Sequence, residues 1–338
     1  MNDLNKPGAD ITSLMQRVLY EVKKVVVGQD HFLERVLVAM LAQGHLLVEG
    51  VPGLAKTLTV KTLARALQGS FKRIQFTPDL VPADLIGTRI YNQKTSDFSV
   101  SLGPVFTNLL LADEINRAPA KVQSALLEVM QEYQVTIAGE TYKVPRPFLV
   151  MATQNPIESE GTYPLPEAQV DRFMMKVLVG YPTPDEEFVI VERVTGVATA
   201  VAAVATTEQL AELQQECRRV FVDPSLITYV VRLVTASREP ERAGIRDMAK
   251  YISYGASPRA SINLIECGRA MAYLRGRDYV LPEDITDLVP DVLRHRLVLS
   301  YEAMAEGLTA DQIIQRLMKN IPPPAKPLET HVRVAANA

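Results

Sequence analysis

This 338-residue sequence lacks the features of disulfide-rich, metal-binding, membrane-spanning and secreted proteins. The two cysteines, Cys217 and Cys267, lack the spacing of metal ligands and suggest no disulfide framework. No apolar run approaches the roughly 20 residues that a helix needs to cross a bilayer. The N-terminal stretch MNDLNKPGADITSL carries acidic residues and lacks the apolar core of a signal peptide. We therefore expect no transmembrane segment and a cytoplasmic protein.

An excess of charge of one sign is also missing. Lysine and arginine total 36 against 39 acidic residues, which leaves a net charge of −3. This balance provides no global basic field, which counts against nucleic acid as a partner and leaves only local basic patches as a route to it. With 47% hydrophobic and 22% charged residues, the composition is that of a globular protein of roughly two domains.

What the sequence does contain is a candidate phosphate-binding loop, EGVPGLAKT, from Glu49 to Thr57. It follows the apolar run HLLV and precedes a helical pattern over residues 57–67, which is the strand–loop–helix context that such a loop requires. The general signature is Gly, four residues, Gly-Lys-Ser/Thr, and Ala55 stands where its second glycine is expected. For this stretch alone, an ordinary turn with a surface lysine is the alternative.

In a loop of this kind, the backbone amides of residues 53–57 would point at phosphate from a helix N-terminus. Lys56 would then bridge the β- and γ-phosphates of ATP, and the Thr57 hydroxyl would bind Mg²⁺. The predicted nucleotide-binding residues of the loop are Gly50, Val51, Pro52, Gly53, Leu54, Ala55, Lys56, Thr57 and Leu58.

Two further predicted strands end in polar side chains. The apolar run at 108–114 ends in Asp113 and Glu114, and the run at 148–152 is followed by the polar residues TQN, which end at Asn155. Parallel strands bring their carboxyl ends to one sheet edge, where ligands bind. Asp113 is predicted to hold Mg²⁺ through water, and Glu114 to activate the attacking water as general base. The alternative is a strand followed by an acidic helix cap.

The alternation of strands and helices predicts an α/β fold, with a parallel sheet covered by helices on both faces. The predicted core covers residues 1–182, with an insert at about 76–104 and a β-hairpin at about 133–145. Residues 183–322 show helical patterns and no convincing strand, which predicts a C-terminal all-α domain. A flexible tail is expected at 323–338.

From Val27 to about Pro322 the chain resembles the MoxR-type AAA+ ATPases of the helix-insert clade. The motifs that carry the resemblance, in family order, are VVGQ, GVPGLAKT, FTPDLVPADLIG, GPVFTNLLLADEINRAPAKVQSALLEVMQE, TQNP, GTYPLPEAQVDRF and GASPRA. Ala55 fits this family's own version of the loop. The resemblance implies a P-loop AAA+ core, with a parallel sheet between helices, and a helical lid domain.

The resemblance also implies roles for single residues. Asn155 would orient the attacking water and sense the γ-phosphate. Arg172 looks like an arginine finger that reaches the nucleotide of a neighbouring subunit, and Arg259 looks like a second sensor for the nucleotide of its own chain. The adenine pocket would be lined by Val27, Gly28 and Gln29.

The function that the resemblance implies is Mg-ATP hydrolysis by a hexameric ring that remodels protein clients. The family's role is chaperone-like, in maturation or assembly, often beside a partner with a von Willebrand factor A domain. An ATP-gated binding scaffold with incidental turnover and a nucleic-acid motor are the alternatives. Glu114 counts against the scaffold, because a pure switch has little use for a water-activating base, and the net charge of −3 counts against the motor.

Overall fold

The computed structural model describes residues 7–51, 53–93, 96–156, 161–196 and 199–325. Pro52 and residues 326–338 of the predicted tail lie outside the described residues. The chain forms two compact units. Of the described residues, the first unit contains Ser13–Phe173 and Val177–Gln214, and the second contains residues 7–12, Met174–Lys176 and residues 215–325.

The elements up to residue 217 alternate between helices and strands. In chain order they are α1 (Pro7–Lys23), α2 (Asp30–Leu41), β1 (Leu46–Glu49), α3 (Lys56–Ala66), β2 (Phe71–Gln75), α4 (Pro82–Ile86), β3 (Gly87–Asn92), β4 (Asp97–Leu102), β5 (Leu109–Asp113), a 3₁₀ helix (Ile115–Arg117), α5 (Ala120–Glu132), β6 (Gln134–Ile137), β7 (Glu140–Lys143), β8 (Leu149–Gln154), α6 (Glu167–Val170), β9 (Met175–Leu178), α7 (Pro184–Thr195) and α8 (Thr207–Cys217).

Five of these strands form one sheet in the order β2-β5-β8-β1-β9. β5 pairs in parallel with β2 and β8, and β8 pairs in parallel with β1. The three inner strands are almost entirely apolar and buried, as strands covered on both faces are, whereas β2 at the edge reads FKRIQ and is largely exposed. The predicted parallel sheet between helices is confirmed.

A continuous apolar cluster lies between the sheet and α5. Leu110, Ala112 and Val150 of the sheet and Leu126 and Met130 of α5 belong to it, and each is at most 2% exposed. Burial of one such large side chain stabilises the fold by about 1.5–3 kcal/mol. Because the cluster lies directly behind the ends of β5 and β8, it holds in place the polar residues that follow those strands.

Antiparallel hairpins occupy both the insert at 76–104 and the segment at 133–145. β3 pairs with β4 in the insert, and β6 pairs with β7 around Ala138-Gly139. Both turn residues have positive φ, 51° and 90°, which is the turn geometry that matches the twist of a two-residue hairpin. An alanine therefore takes the place that asparagine usually fills.

Residues 183–205 lie with the first unit. The Arg193 guanidinium donates to the carbonyl oxygens of Lys23 and Lys24, each at 2.8 Å, and the backbone N–H of Ala205 donates to the carbonyl oxygen of Ala66 at 3.1 Å. The change of unit at Gln215 therefore differs from the boundary expected after residue 182. Hydrogen bonds to α1 and to the end of α3 hold this segment on the core.

The second unit is helical, as predicted. Its elements are α9 (Pro224–Arg238), a 3₁₀ helix (Arg246–Tyr251), β10 (Ile252–Tyr254), α10 (Pro258–Leu274), α11 (Pro282–Thr286), α12 (Val289–Leu293), β11 (Val298–Leu299), α13 (Tyr301–Ala305) and α14 (Ala310–Asn320). The antiparallel pair β10–β11 was not expected, because such short strands show no readable alternation. None of the helices described in either unit is long and apolar enough to span a membrane.

His45 lies just before β1 and joins three elements of the core. Its Nδ1 accepts a hydrogen bond from the backbone N–H of Val150 at 3.0 Å, so Nε2 carries the proton and donates to the Met130 carbonyl at 3.1 Å. Burial lowers the pKa of His45 from 6.5 to about 4, although the Met130 carbonyl acts in the opposite direction. The folded chain therefore keeps this imidazole neutral.

We expect His45 to make the fold less stable as the pH falls from about 6.5 towards 4, because the unfolded chain binds a proton that the folded chain excludes. A pKa difference of this size corresponds to about 3 kcal/mol, fully lost below the folded-state pKa. Urea unfolding of the wild type and His45→Gln at a series of pH values measures the effect. The variant should lose less stability on acidification, and equal losses in both proteins would contradict the assignment.

Candidate active site

The chain between β1 and α3 forms a loop that ends at the N-terminus of α3. Gly53 has φ of 85°, and Ala55, which precedes the helix, has φ of 55° and ψ of 13°. A Cβ added to Gly53 would meet nothing within 4 Å, so glycine is needed there for its backbone angle rather than for space. The first N–H groups of the helix have no partner within the helix and can bind an anion.

A cavity of about 390 Å³ opens over this loop, a size typical of small-molecule sites. It brings the loop together with Arg73 of β2 and with the ends of β5 and β8. The lining residues are Gly50, Gly53, Leu54, Ala55, Lys56, Thr57, Leu58, Arg73, Asp113, Glu114, Thr153, Gln154 and Asn155. Of the residues predicted for the loop, Val51 does not line the cavity, and Pro52 lies outside the described residues.

Lys56 lies within this cavity and is folded back onto its own loop. Its Nζ donates to the carbonyl oxygen of Gly50. Desolvation lowers the pKa of Lys56, while attraction to Asp113, Glu114 and Glu49 acts in the opposite direction. The lysine is thus a partly desolvated donor beside the acidic strand ends, and an entering phosphate can take the place of its carbonyl partner.

The Thr153 hydroxyl fixes both acidic residues at the end of β5. It donates to Oδ1 of Asp113 at 2.6 Å and accepts from the backbone N–H of Glu114 at 2.9 Å. Thr153 is only 2% exposed. Glu114 has left-handed backbone angles, φ 56° and ψ 53°, which turn the chain away from the strand at this point. The position of the two carboxylates therefore depends on the neighbouring strand β8.

The Glu114 carboxylate is held by two side chains that the sequence reasoning did not select. Its Oε2 accepts from Nε2 of Gln75 at 2.8 Å and lies 3.0 Å from Nε of Arg117. The second oxygen of Asp113, Oδ2, is likewise engaged by Arg73. Arg73 and Gln75 lie on the polar edge strand β2, where charged and amide side chains are ordinary, so their pattern gave no signal.

The donor set at this edge suits a magnesium ion that binds together with a nucleotide. Within the described ranges, no group of three or more His, Cys, Asp and Glu side chains is arranged to hold a metal ion. The cavity instead presents the hydroxyl of Thr57 and the carboxylate of Asp113. Mg²⁺ usually takes one or two protein ligands and completes its shell with phosphate oxygens and water. The residues present fit that pattern.

The three remaining catalytic candidates lie in different places. Asn155 follows β8 and lines the cavity. Arg172 lies in the turn after α6, which ends at Val170, and it is not among the residues that line the cavity. Arg259 lies in the second unit, in the first turn of α10, where the Ser257 side chain caps the helix.

The residues predicted to contact adenine form the connection between α1 and α2. Gln29 donates through Nε2 to the carbonyl oxygen of Gly180 at 3.0 Å. Gly28 has φ of 63°, and a Cβ at this position would lie 2.4 Å from Oε1 of Glu186. Glycine suits position 28 for its backbone angle, whereas the close contact there involves only the end of the flexible Glu186 side chain. Val27 precedes it in the same connection.

A buried glutamine joins the segment after Glu114 to the segment that leads to Arg172. Nε2 of Gln123 donates to the carbonyl oxygens of Ala118 at 3.0 Å and Tyr163 at 2.9 Å. The Tyr163 N–H in turn donates to the carbonyl oxygen of Asn116 at 2.6 Å. Gln123 lies on the apolar face of α5 and is fully buried, and a polar residue on a predicted core face was the signal that could have found it.

Comparison with known families assigns most of the chain. The model for the ATPase family associated with various cellular activities (AAA) matches residues 45–175. The model for the AAA lid domain matches residues 246–317. The first match contains the whole cavity lining described above, and the second contains Arg259.

Individual relatives match over almost their full length. The chain is 55% identical to Chaperone MoxR1 of Mycobacterium tuberculosis over 91% of this chain and 81% of that one. It is 32% identical to Protein MoxR of Methylorubrum extorquens over 90% of this chain and 93% of that one. A crystal structure from Cytophaga hutchinsonii superposes with a TM-score of 0.89 at 50% identity and covers 94% of this chain and 97% of that one.

Replacement of Thr153 tests the link between β8 and the acidic residues. We expect Thr153→Val to destabilise the fold by about 1–3 kcal/mol, because it leaves a nearly buried carboxylate oxygen and an N–H without their partner. Thr153→Ser keeps the hydroxyl and serves as the matched control. Urea unfolding of both variants at neutral pH measures the difference, and equal stability of the two would show that the hydroxyl is dispensable.

Proposed function

The chain belongs to the MoxR family of AAA+ ATPases, and on this premise we propose that it is a Mg-ATP-driven remodelling ATPase with a chaperone-like role in maturation or assembly of protein clients. The observation that carries the proposal is the single cavity lined by Lys56, Asp113, Glu114 and Asn155. A lysine for phosphate, a carboxylate for metal and a carboxylate for water are the groups that hydrolysis of a phosphoanhydride needs. The Mycobacterium tuberculosis relative is itself named a chaperone.

In the hydrolytic step, the loop amides and Lys56 bind the phosphates. Thr57 and Asp113 would hold Mg²⁺, which when bound neutralises charge on the β- and γ-oxygens. Glu114 accepts a proton from water while the water oxygen bonds to the γ-phosphorus and the bond to the β–γ bridging oxygen breaks. Asn155 orients this water and senses the γ-phosphate. ADP and inorganic phosphate are the products.

The connection between α1 and α2 is proposed to bind the adenine end of the nucleotide. Val27, Gly28 and Gln29 line the adenine pocket in this proposal. The hydrogen bond from Gln29 to Gly180 and the close approach of Glu186 to Gly28 give this connection a defined shape. Arg259 supplies a second sensor from the lid, which responds to the γ-phosphate.

Arg172 acts as an arginine finger in a neighbouring subunit's site, and the working form is a hexameric ring. Arginine suits this role because its guanidinium is a permanent, forked cation. A finger supplied in trans is worth about 10³ to 10⁵ in rate, so an isolated subunit should turn over very slowly. The position of Arg172 outside the lining of its own cavity supports this role.

The exposed hairpin β3–β4 is the surface that we assign to client contact. Ile90, Tyr91, Phe98 and Leu102 are each about half exposed, between 48% and 52%. The register of the hairpin places Tyr91, Phe98 and Leu102 on one face and Ile90 on the other, and large apolar side chains that share an exposed face mark interaction sites. A protein with a von Willebrand factor A domain is the partner we propose.

Arg172→Ala and Glu114→Gln, each inactive alone, should restore each other's activity if the finger acts in trans. Both variants should bind ATP without turning it over, whereas Lys56→Ala should abolish nucleotide binding. In a random ring made from equal amounts of Arg172→Ala and Glu114→Gln, about a quarter of the sites combine an intact base with an intact finger. Steady-state ATPase assays of the mixture should therefore recover about that fraction of the wild-type rate.

The matched control for this mixture combines Lys56→Ala with Glu114→Gln. Both groups serve the nucleotide of their own subunit, so no mixed ring contains a complete site and the rate should stay at background. A mixture of Arg172→Ala and Glu114→Gln that also stays at background would contradict the trans assignment, as would loss of ATP binding in Arg172→Ala.

Glu114→Gln should also retain client proteins when it is loaded with ATP. Affinity purification in ATP, with Lys56→Ala as the control that cannot bind nucleotide, measures the retention. We expect proteins that remain bound to Glu114→Gln and are released from the wild type as it hydrolyses ATP. Release from Glu114→Gln at the wild-type rate, with hydrolysis abolished, would favour the ATP-gated scaffold instead.

A further inference from the structure

Arg73 has no part in the mechanism above, yet it lines the same cavity. It lies on β2, whose register with β5 places Gln75 directly beside Asp113. Alternate residues of a strand share a face, so Arg73 and Gln75 point to one side, while Ile74 is buried on the other. This arrangement brings the guanidinium to the carboxylate that would hold the metal.

Both oxygens of Asp113 are engaged by donors of the chain itself. Arg73 places two N–H groups on Oδ2, from Nη2 at 2.6 Å and from Nε at 3.1 Å. Thr153 places its hydroxyl on Oδ1 at 2.6 Å. A cation that approaches Asp113 must therefore displace one of these two partners or share an oxygen with it.

Exposure decides which partner can leave. The Arg73 side chain is 48% exposed and that of Asp113 is 20% exposed, whereas Thr153 is 2% exposed and also accepts from Glu114. Half-exposed ion pairs contribute little to stability, while a buried hydroxyl cannot withdraw without leaving polar groups unpaired. Oδ2 is thus the oxygen that can be vacated.

We propose that Arg73 is a positioning residue that competes with the divalent cation for Asp113. The guanidinium neutralises Asp113 in the metal-free chain, and it weakens the hold of Asp113 on the cation, whether direct or through water, because two positive charges beside one carboxylate repel each other. The proposal rests on the metal-binding role given to Asp113 above. It makes the metal affinity of the nucleotide complex depend on a residue whose other hydrogen bond goes to Oε1 of Gln75, at 2.9 Å.

The opposite role for the same side chain is direct binding of phosphate, since guanidinium groups pair well with phosphate oxygens. The two roles predict opposite effects when Arg73 is removed. A competitor would hinder binding of the cation, so its loss should lower the Mg²⁺ concentration that half-saturates the nucleotide complex. A phosphate ligand would assist the nucleotide, so its loss should weaken binding even without metal.

The test is a Mg²⁺ titration of the full chain at a fixed concentration of a fluorescent, non-hydrolysable ATP analogue. For Arg73→Gln we expect the half-saturating Mg²⁺ concentration to fall about two- to five-fold, which is the strength of an exposed ion pair expressed as an equilibrium. Arg73→Lys keeps the charge but loses the forked pair of N–H donors, so its half-saturating Mg²⁺ concentration should lie between those of Arg73→Gln and the wild type. The control is Lys72→Gln, which removes the same charge from an exposed neighbouring residue of β2 and should leave the half-point unchanged.

A parallel titration of the analogue in EDTA separates the two roles. Unchanged metal-free affinity together with the lowered Mg²⁺ half-point would support competition at Asp113. An unchanged half-point in Arg73→Gln, or an equal shift in Lys72→Gln, would overturn the inference and leave the proposed function intact, as would a loss of metal-free affinity in Arg73→Gln alone. If the wild type failed to bind the analogue with Mg²⁺, the proposed function would fall and the inference with it.

Discussion

The candidate site depends on the parallel register of four strands, β2, β5, β8 and β1. Gln75 lies beside Asp113, Ala112 beside Ala152, and Glu49 beside Gln154, so the polar residues that follow the strands emerge at one level. The Thr153 hydroxyl then ties β8 to β5 through the carboxylate of Asp113 and the N–H of Glu114. A slip of one residue between β5 and β8 would turn every side chain of one strand to the other face and break both hydrogen bonds at once.

Sequence reasoning found the parts of the site that belong to strongly patterned elements. The loop before Lys56 and the acidic pair Asp113-Glu114 each follow a buried apolar run, and the strand-to-loop change is visible in the letters alone. Arg73 and Gln75 were missed because an exposed edge strand carries such side chains without any function. Their importance comes only from the register with β5, which is a tertiary property.

The sequence did not predict where the chain changes from one unit to the other, for a different reason. The segment that follows α7 is held on the core partly by backbone hydrogen bonds, such as those from Val204 and Ala205 to the carbonyl oxygen of Ala66. Backbone groups are the same in every residue, so composition and periodicity do not report where they pair. Similarly, the helical pattern over 183–322 does not reveal that α11 and α12 are two separate short helices, with Pro290 in the first turn of the second.

Left-handed backbone angles at Gln29, Ala55 and Glu114 have a consequence for how this site can change during evolution. Residues other than glycine, asparagine and aspartate adopt these angles at a cost of about 1 kcal/mol, and β-branched residues at more. At Ala55 the side chain is a single methyl group, so the backbone, rather than any side-chain chemistry, restricts which residues selection can accept there. Glycine and asparagine tolerate these angles best, whereas valine, isoleucine and threonine are the residues that the angles disfavour most.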